Sequence, residues 1–213
     1  MYYYTPKKIW DREACYIIGG GPSLKTFNWK NLSGRNVIGC NASFYMGADL
    51  IPIMIFGDGA FLQQHKEGLD NYSNQGGRVY TCATRTDRFG TPDYLKIVKR
   101  KVKGLGIKDE LGWNSNTGSA AINLALLFGC QTIYLLGYDM QLSEQGEKNF
   151  HDAYSDRANP RSYDRFLKGF QDLKFDKQKH FPDQEIINLE DGTSALNIFP
   201  KQSLENHFEK VAV

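Results

Sequence analysis

The sequence predicts an α/β domain of the Rossmann-like, doubly wound kind, a mostly parallel sheet with helices on both faces and a lid segment over about residues 141–160. Three observations predict it. Short β-branched runs alternate with helical patterns along the chain, the arrangement that produces parallel strands joined by crossovers. The first run closes in the glycine turn Gly19-Gly20-Gly21-Pro22-Ser23. Polar side chains recur just past strand ends, where ligands bind in such sheets.

The first strand is Cys15 to Ile18, and Pro22 stands at the first position of the helix predicted after the turn. A second strand, Asn36 to Cys40, ends in Asn41, and a third, Ile51 to Phe56, ends in Gly57-Asp58-Gly59. Ala60 to Leu69 reads as a helix and Arg78 to Cys82 as another strand. Between Tyr94 and Lys108, Lys and Arg alternate with Ile, Val and Leu, which predicts a half-exposed edge strand. From Thr117 a helix of small and apolar residues runs to a Gly129 cap and is expected to be buried on more than one side. Thr132 to Leu136 is a central strand that stops at Gly137-Tyr138-Asp139. Residues 141–160 are polar and without period, the mark of a functional lid. An amphipathic helix from Arg161 to Phe175, a last strand from Glu185 to Leu189 and a closing helix from Ser203 to Val211 complete the series.

At 213 residues the chain suits one domain, 1–213, since chains divide beyond about 250 residues. With 26 Lys+Arg against 24 Asp+Glu the net charge is +2, so bulk charge selects neither nucleic acid nor membrane. The basic strip from Lys96 to Lys103 reads as the solvated face of an edge strand, its alternative use being to guide an acidic acceptor such as DNA. Cys15, Cys40, Cys82 and Cys130 have neither disulfide nor zinc spacing and read as free core thiols. No secretory leader and no membrane span is predicted, so the expected location is the cytoplasm.

Three glycines entering a helix let backbone approach a phosphate while amides and the helix dipole supply the electrostatics. The turn lacks the Lys-Ser/Thr ending of a P-loop and the third glycine of Gly-x-Gly-x-x-Gly, which disfavours ordinary ATPase and NAD-dependent chemistry. Asn116, Thr117 and Gly118 open the second helix; they read either as an N-cap or as the far side of a nucleotide clamp. His65, His180 and His207 are expected at the surface. His151, in the lid beside Asp152 and Asp156, is the candidate general base, an imidazole titrating near neutrality. Asp139 is the second candidate catalytic residue, and no resident metal is expected.

Ile17 to Leu24, Cys40-Asn41, Asn116-Thr117-Gly118 and Ile133 to Asp139 together resemble the bacterial sialyltransferases of glycosyltransferase family 42. They also resemble the 6-hydroxymethylpterin diphosphokinase-like (MptE-like, DUF115) group, whose short phage-encoded members the ending Ile187-Asn188-Leu189, Thr193 to Leu196 and Phe199-Pro200 is similar to. The resemblance implies that Gly19, Gly20, Gly21, Pro22, Ser23 and Asn41 hold the donor's phosphate and ribose, that Asp58 stands near the donor, and that Thr117-Gly118 match a Ser-Gly pair. It further implies His151 as base, Tyr154 as the lid tyrosine on the phosphate, and metal-independent transfer from a nucleotide-activated sugar, with a CMP-linked donor as one form. Those enzymes carry an Arg where this chain has Asn114, and their lid is longer.

The expected partners are thus a nucleotide-activated small molecule, an acceptor that is a glycan, a small molecule or DNA, and further copies of the chain. One alternative is a pyrophosphokinase using ATP and Mg²⁺, with Asp58 and Asp139 as metal ligands. Another is a nucleotide-binding module without turnover.

Overall fold

The computed structural model describes residues 2–84, 86, 90–153, 161–192 and 194–211. Tyr154, Asp156 and Thr193, singled out above, lie outside the described residues. In chain order come β1 (Ala14–Ile18), β2 (Val37–Cys40), β3 (Ile53–Phe56), α1 (Gly59–Gln64), α2 (Lys66–Asn74), β4 (Arg78–Thr81) and β5 (Leu95–Ile97). There follow β6 (Lys99–Lys101), β7 (Glu110–Gly112), α3 (Thr117–Leu127), β8 (Thr132–Leu136), α4 (Arg161–His180), β9 (Glu185–Leu189), β10 (Lys201–Gln202) and α5 (Leu204–Val211).

Eight strands form one sheet in the order β10-β9-β8-β1-β2-β3-β4-β5, and every pairing among them is parallel. The chain winds from β1 out to β5, recrosses through α3 and winds from β8 out to β10. The winding therefore reverses between β1 and β8, the crevice where such folds bind ligands. This is the Rossmann-like architecture the sequence predicts.

The central strands read as near-continuous apolar runs because both faces of a parallel sheet are covered. Alternate residues of β1 go to opposite layers, Cys15 and Ile17 to the core under α3, Tyr16 and Ile18 to the core under α5. Each buried Ile or Leu removes enough apolar surface from water to contribute about 1.5–3 kcal/mol. Helix α3 is apolar or small all round and buried from Thr117 to Leu126, as its composition predicts. It ends at Gly129, whose φ of 90° only glycine adopts without strain. All four cysteines are free and buried.

Several expectations are corrected. The glycine turn leads into a short 3-10 helix, Pro22–Thr26, rather than an α-helix, because Asn28 interrupts it: its side chain accepts from Lys30 N (3.2 Å) and starts a second 3-10 turn, Trp29–Leu32. The predicted helix from Ala60 breaks at His65, which is drawn inward onto Phe61 and bonded through Nδ1 to the Tyr45 hydroxyl (3.0 Å). The predicted edge strand holds for β5 alone. Beyond Val98 the chain leaves the sheet, and β6 pairs with β7, held by Lys99–Glu110 (2.7 Å) and by Arg100, which donates to the Cys82 and Gly57 carbonyls. The basic strip is accordingly committed locally: Lys96 lies 5.0 Å over the Tyr4 ring and Lys101 lies 3.6 Å from Asp176. β9 is not the last strand, since β10 pairs with it.

His65 and His207 are buried rather than superficial, while His180 is exposed. His207 packs on Tyr134, with ring centroids 4.4 Å apart, and its Nε2 lies 3.0 Å from the Tyr16 hydroxyl, which itself accepts from Arg35 Nη1 (3.2 Å). Burial, and then the nearby Arg35 charge, hold the imidazole below its ordinary pKa of 6.5. A depressed histidine pKa means the unfolded chain binds the proton more readily, so stability is lost as pH falls from 6.5 toward the lower folded value. We expect the melting temperature to fall between about pH 7 and 5. His207→Gln should lessen that fall; an unchanged slope would remove His207 as a contributor.

Candidate active site

The carboxyl ends of β1 and β8 are tied directly to each other. Gly19 N donates to the Leu136 carbonyl and Gly21 N to the Gly137 carbonyl, each at 2.8 Å. A Cβ on Gly19 would lie 2.5 Å from the Gly137 oxygen, and one on Gly21 would lie 2.5 Å from Asp139 Cγ. None of the three glycines has a positive φ, so the turn needs them for space. Gly20 differs from its neighbours: it is half-buried, and the nearest atom to its missing Cβ is Asn149 Oδ1 at 3.0 Å, the tip of a side chain.

Asp139 is 3% exposed, and both its oxygens are occupied by Ser23, Oδ2 by the backbone N–H (2.9 Å) and Oδ1 by the hydroxyl (2.6 Å). Burial pushes its pKa up, opposed by these two bonds. Ser23 and Pro22 therefore brace the turn and do not line the cavity beside it. Tyr138, 1% exposed, lies beneath the same turn. Its hydroxyl donates to the Gly118 carbonyl (3.1 Å) and lies 3.9 Å from Cys40 Sγ.

On the opposite wall Asn116 caps α3, its Oδ1 accepting from Gly118 N at 2.8 Å. The N-cap reading thus holds, and the residue still borders the cavity. Only an oxygen accepts from an N–H, so the amide orientation is set, and Nδ2 is left buried with no hydrogen-bond partner among the described residues. A buried donor in that state costs about 1–3 kcal/mol. Asn114, where the resembling enzymes have Arg, bonds Gly104 N (2.7 Å), Gly104 O (3.0 Å) and Ser119 Oγ (2.7 Å). Its side chain is thereby fully engaged within the protein.

His151 is held at the rim by the residue before it. Phe150 N donates to the Gly20 carbonyl (3.0 Å), the Phe150 ring packs 5.2 Å from Trp29, and Lys25 pairs with Glu147 across the same junction. His151 Nδ1 accepts from Ala153 N at a long 3.3 Å, which marks Nδ1 as the unprotonated nitrogen. Burial lowers its pKa from 6.5, with the Asp152 charge acting the other way.

These parts enclose a cavity of about 610 Å³ bordered by Gly19, Gly20, Gly21, Asn41, Asp58, Asn116, Thr117, Gly118, Asp139 and His151. Asn41 stands at the end of β2 with φ 52°, and Asp58 caps α1, exposed, its Oδ1 3.4 Å from Ala60 N. Ser115 and Met140, also on the wall, have φ of 55° and 52°. Such left-handed backbone costs roughly 1–3 kcal/mol per residue and collects at binding sites. Among the described residues no three His, Cys, Asp or Glu side chains cluster as metal ligands would. Sequence reasoning missed Lys148, Tyr163 and Arg165, which also border the cavity. Their one signal was position, Lys148 inside the aperiodic segment 141–160 and Tyr163 and Arg165 just after it.

The two kinds of glycine predict different outcomes. Gly21→Ala overpacks the turn against Asp139 and the Gly137 carbonyl and should lower stability by about 1–3 kcal/mol. Gly20→Ala should stay within about 0.5 kcal/mol of the parent and alter ligand binding instead. Urea midpoints measure both, and equal losses would contradict this division of roles.

No protein-family model and no curated protein matches the chain. Among solved structures its fold is similar to the MAf glycosyltransferase from Magnetospirillum magneticum AMB-1, with a TM-score of 0.61 at 17% identity, covering 95% of this chain and 36% of that one. It is similar also to the sialyltransferase CstII from Campylobacter jejuni in complex with a substrate analogue, cytidine-5'-monophosphate, with a TM-score of 0.54 at 13% identity, covering 90% and 85%. The sialyltransferase CST-II in complex with trisaccharide acceptor and CMP gives 0.53 at 14%, covering 90% and 87%. The chain thus spans 36% of the first protein and most of the length of the sialyltransferases. At these identities the likeness is one of fold: the sheet and crossovers of this chain are shared with glycosyltransferases.

Proposed function

We propose that the protein is a glycosyltransferase that draws on a nucleotide-activated sugar without a metal ion and uses His151 as general base. The observation that carries this reading is the cavity at the β1–β8 crevice, with the glycine turn on one wall, the start of α3 on another and His151 at the rim. The open backbone at Gly20 and the N-terminal end of the α3 dipole suit a phosphate. The fold neighbours solved with CMP and with a trisaccharide acceptor support a nucleotide-linked donor and a glycan acceptor.

In this mechanism the acceptor hydroxyl displaces the long Ala153 bond and gives its proton to His151 Nδ1. Its oxygen then forms the new bond to the anomeric carbon. The bond from that carbon to the donor's phosphate oxygen breaks, and the phosphate leaves with the electron pair, its charge stabilised by that dipole. Asp139, committed to Ser23, acts by holding the turn in place. That commitment also supports the metal-independent reading over the pyrophosphokinase alternative, which would need Asp139 and Asp58 as ligands for Mg²⁺.

Thermal-shift titration with CMP, UDP, GDP and ATP, each in EDTA and in Mg²⁺, tests the donor class. Stabilisation by CMP, UDP or GDP in EDTA is expected, since a ligand at about 100 times its dissociation constant adds roughly 2.7 kcal/mol. Stabilisation by ATP with Mg²⁺ alone would overturn the proposal in favour of the pyrophosphokinase.

His151→Ala should leave nucleotide affinity unchanged and lower transfer by about 10²–10⁴-fold, the usual contribution of general base catalysis. Because only the neutral imidazole accepts a proton and its pKa is lowered, the acid limb of kcat/KM should lie below pH 6.5. An acid limb that persists in the Ala variant would assign the titration to another group.

A further inference from the structure

Two cations that take no part in the scheme above border the cavity. Lys148 precedes residues 154–160 and Arg165 follows them, on the second turn of α4. Neither pairs with a carboxylate among the described residues. The carboxylates on the wall are otherwise engaged, Asp139 by Ser23 and Asp58 as the cap of α1. The guanidinium rests 5.5 Å from its neighbour's Phe166 ring.

The seating of α4 accounts for where Arg165 stands. Gly169 meets Asn114 so closely that a Cβ there would lie 2.8 Å from the Asn114 carbonyl oxygen. Arg165 is four residues earlier, on the same helix face, and so is carried over the start of α3. There Asn116, 8% exposed, has Nδ2 buried and without a partner among the described residues. Two cations bordering one cavity, neither held by a carboxylate among the described residues, select a ligand rich in acceptor oxygens and negative charge.

We propose that Arg165 and Lys148 bind the phosphate of the donor nucleotide opposite Asn116. They supply the positive charge that Asn114, engaged with Gly104 and Ser119, cannot. This rests on the donor reading above and adds to it the residues that recognise the anion. Arg165 offers a planar fork for two phosphate oxygens, and Lys148 a compact charge. The ligand chemistry is a phosphate ester, either the single phosphate of a nucleoside monophosphate or the terminal phosphate of a diphosphate.

The test is calorimetric titration of the parent, Lys148→Gln, Arg165→Gln and Arg165→Lys with CMP, UDP and GDP, and with cytidine, uridine and guanosine. The parent should bind one nucleotide well above its nucleoside, and whether that is CMP or a diphosphate identifies the phosphate source. Arg165→Gln should shrink the nucleotide-to-nucleoside ratio about tenfold or more while leaving nucleoside affinity unchanged. Arg165→Lys should recover part of the loss, and Lys148→Gln should weaken the salt dependence of nucleotide binding. A ratio unchanged in both Gln variants of a parent that binds nucleotide overturns this proposal alone. Equal loss of nucleoside and nucleotide affinity in Arg165→Gln assigns it a structural role and overturns the proposal as well. A parent that binds no nucleotide overturns this proposal and the donor reading together.

Discussion

The buried ring of Tyr138 sets the geometry of the crevice. Its hydroxyl reaches the first turn of α3 through the Gly118 carbonyl and the end of β2 through Cys40 Sγ. Its own carbonyl accepts from Ser194 Oγ (2.8 Å), which ties in the segment after β9. Burial pushes the phenol pKa well above its usual value, so the hydroxyl remains a donor. The ring needs room on both sides: a Cβ on Gly19 would come 3.1 Å from Tyr138 Cδ2, and one on Gly118 would come 2.8 Å from Cε1. One aromatic side chain thus specifies a glycine in each of the two walls that face each other across the cavity.

Around that ring the site is assembled from backbone held open by protein–protein bonds. Asp139 and Ser23 clamp the glycine turn, Asn116 clamps the start of α3, and Arg100 draws the ends of β3 and β4 together through the Gly57 and Cys82 carbonyls. Arg100 also stacks 4.5 Å from Trp113, which fills the space above Gly57. Asn41, Ser115 and Met140 hold left-handed backbone on the wall between these clamps. The result is a preorganised crevice in which the glycine turn and the start of α3 are each fixed by bonds within the protein.

Against this fixed wall the lid side contributes charge and titration. His151 and Lys148 come from a segment tied to the body by the Phe150–Gly20 bond and the Phe150–Trp29 packing, whereas Arg165 stands on α4, whose Phe170 and Leu173 are buried in the core. The cavity wall is thereby divided: strand ends supply fixed backbone, and side chains on either side of residues 154–160 supply the charged and titratable groups.

The sequence by itself determined what is local. Apolar runs at strand spacing marked the central strands, Gly19 to Gly21 marked the crevice, and small residues from Thr117 marked the buried helix. Most residues bordering the crevice cavity were legible too, because polar residues past strand ends converge in any parallel sheet. What only the tertiary structure decided is which groups each side chain meets. Asp139 finds Ser23 at a separation of 116 positions, Tyr16 finds His207 at 191, and Arg165 reaches the cavity because Gly169 lets α4 seat on Asn114. Periodicity and turn chemistry act over a few residues, whereas these partners are chosen by the winding of the whole sheet, and so they leave no pattern in the chain.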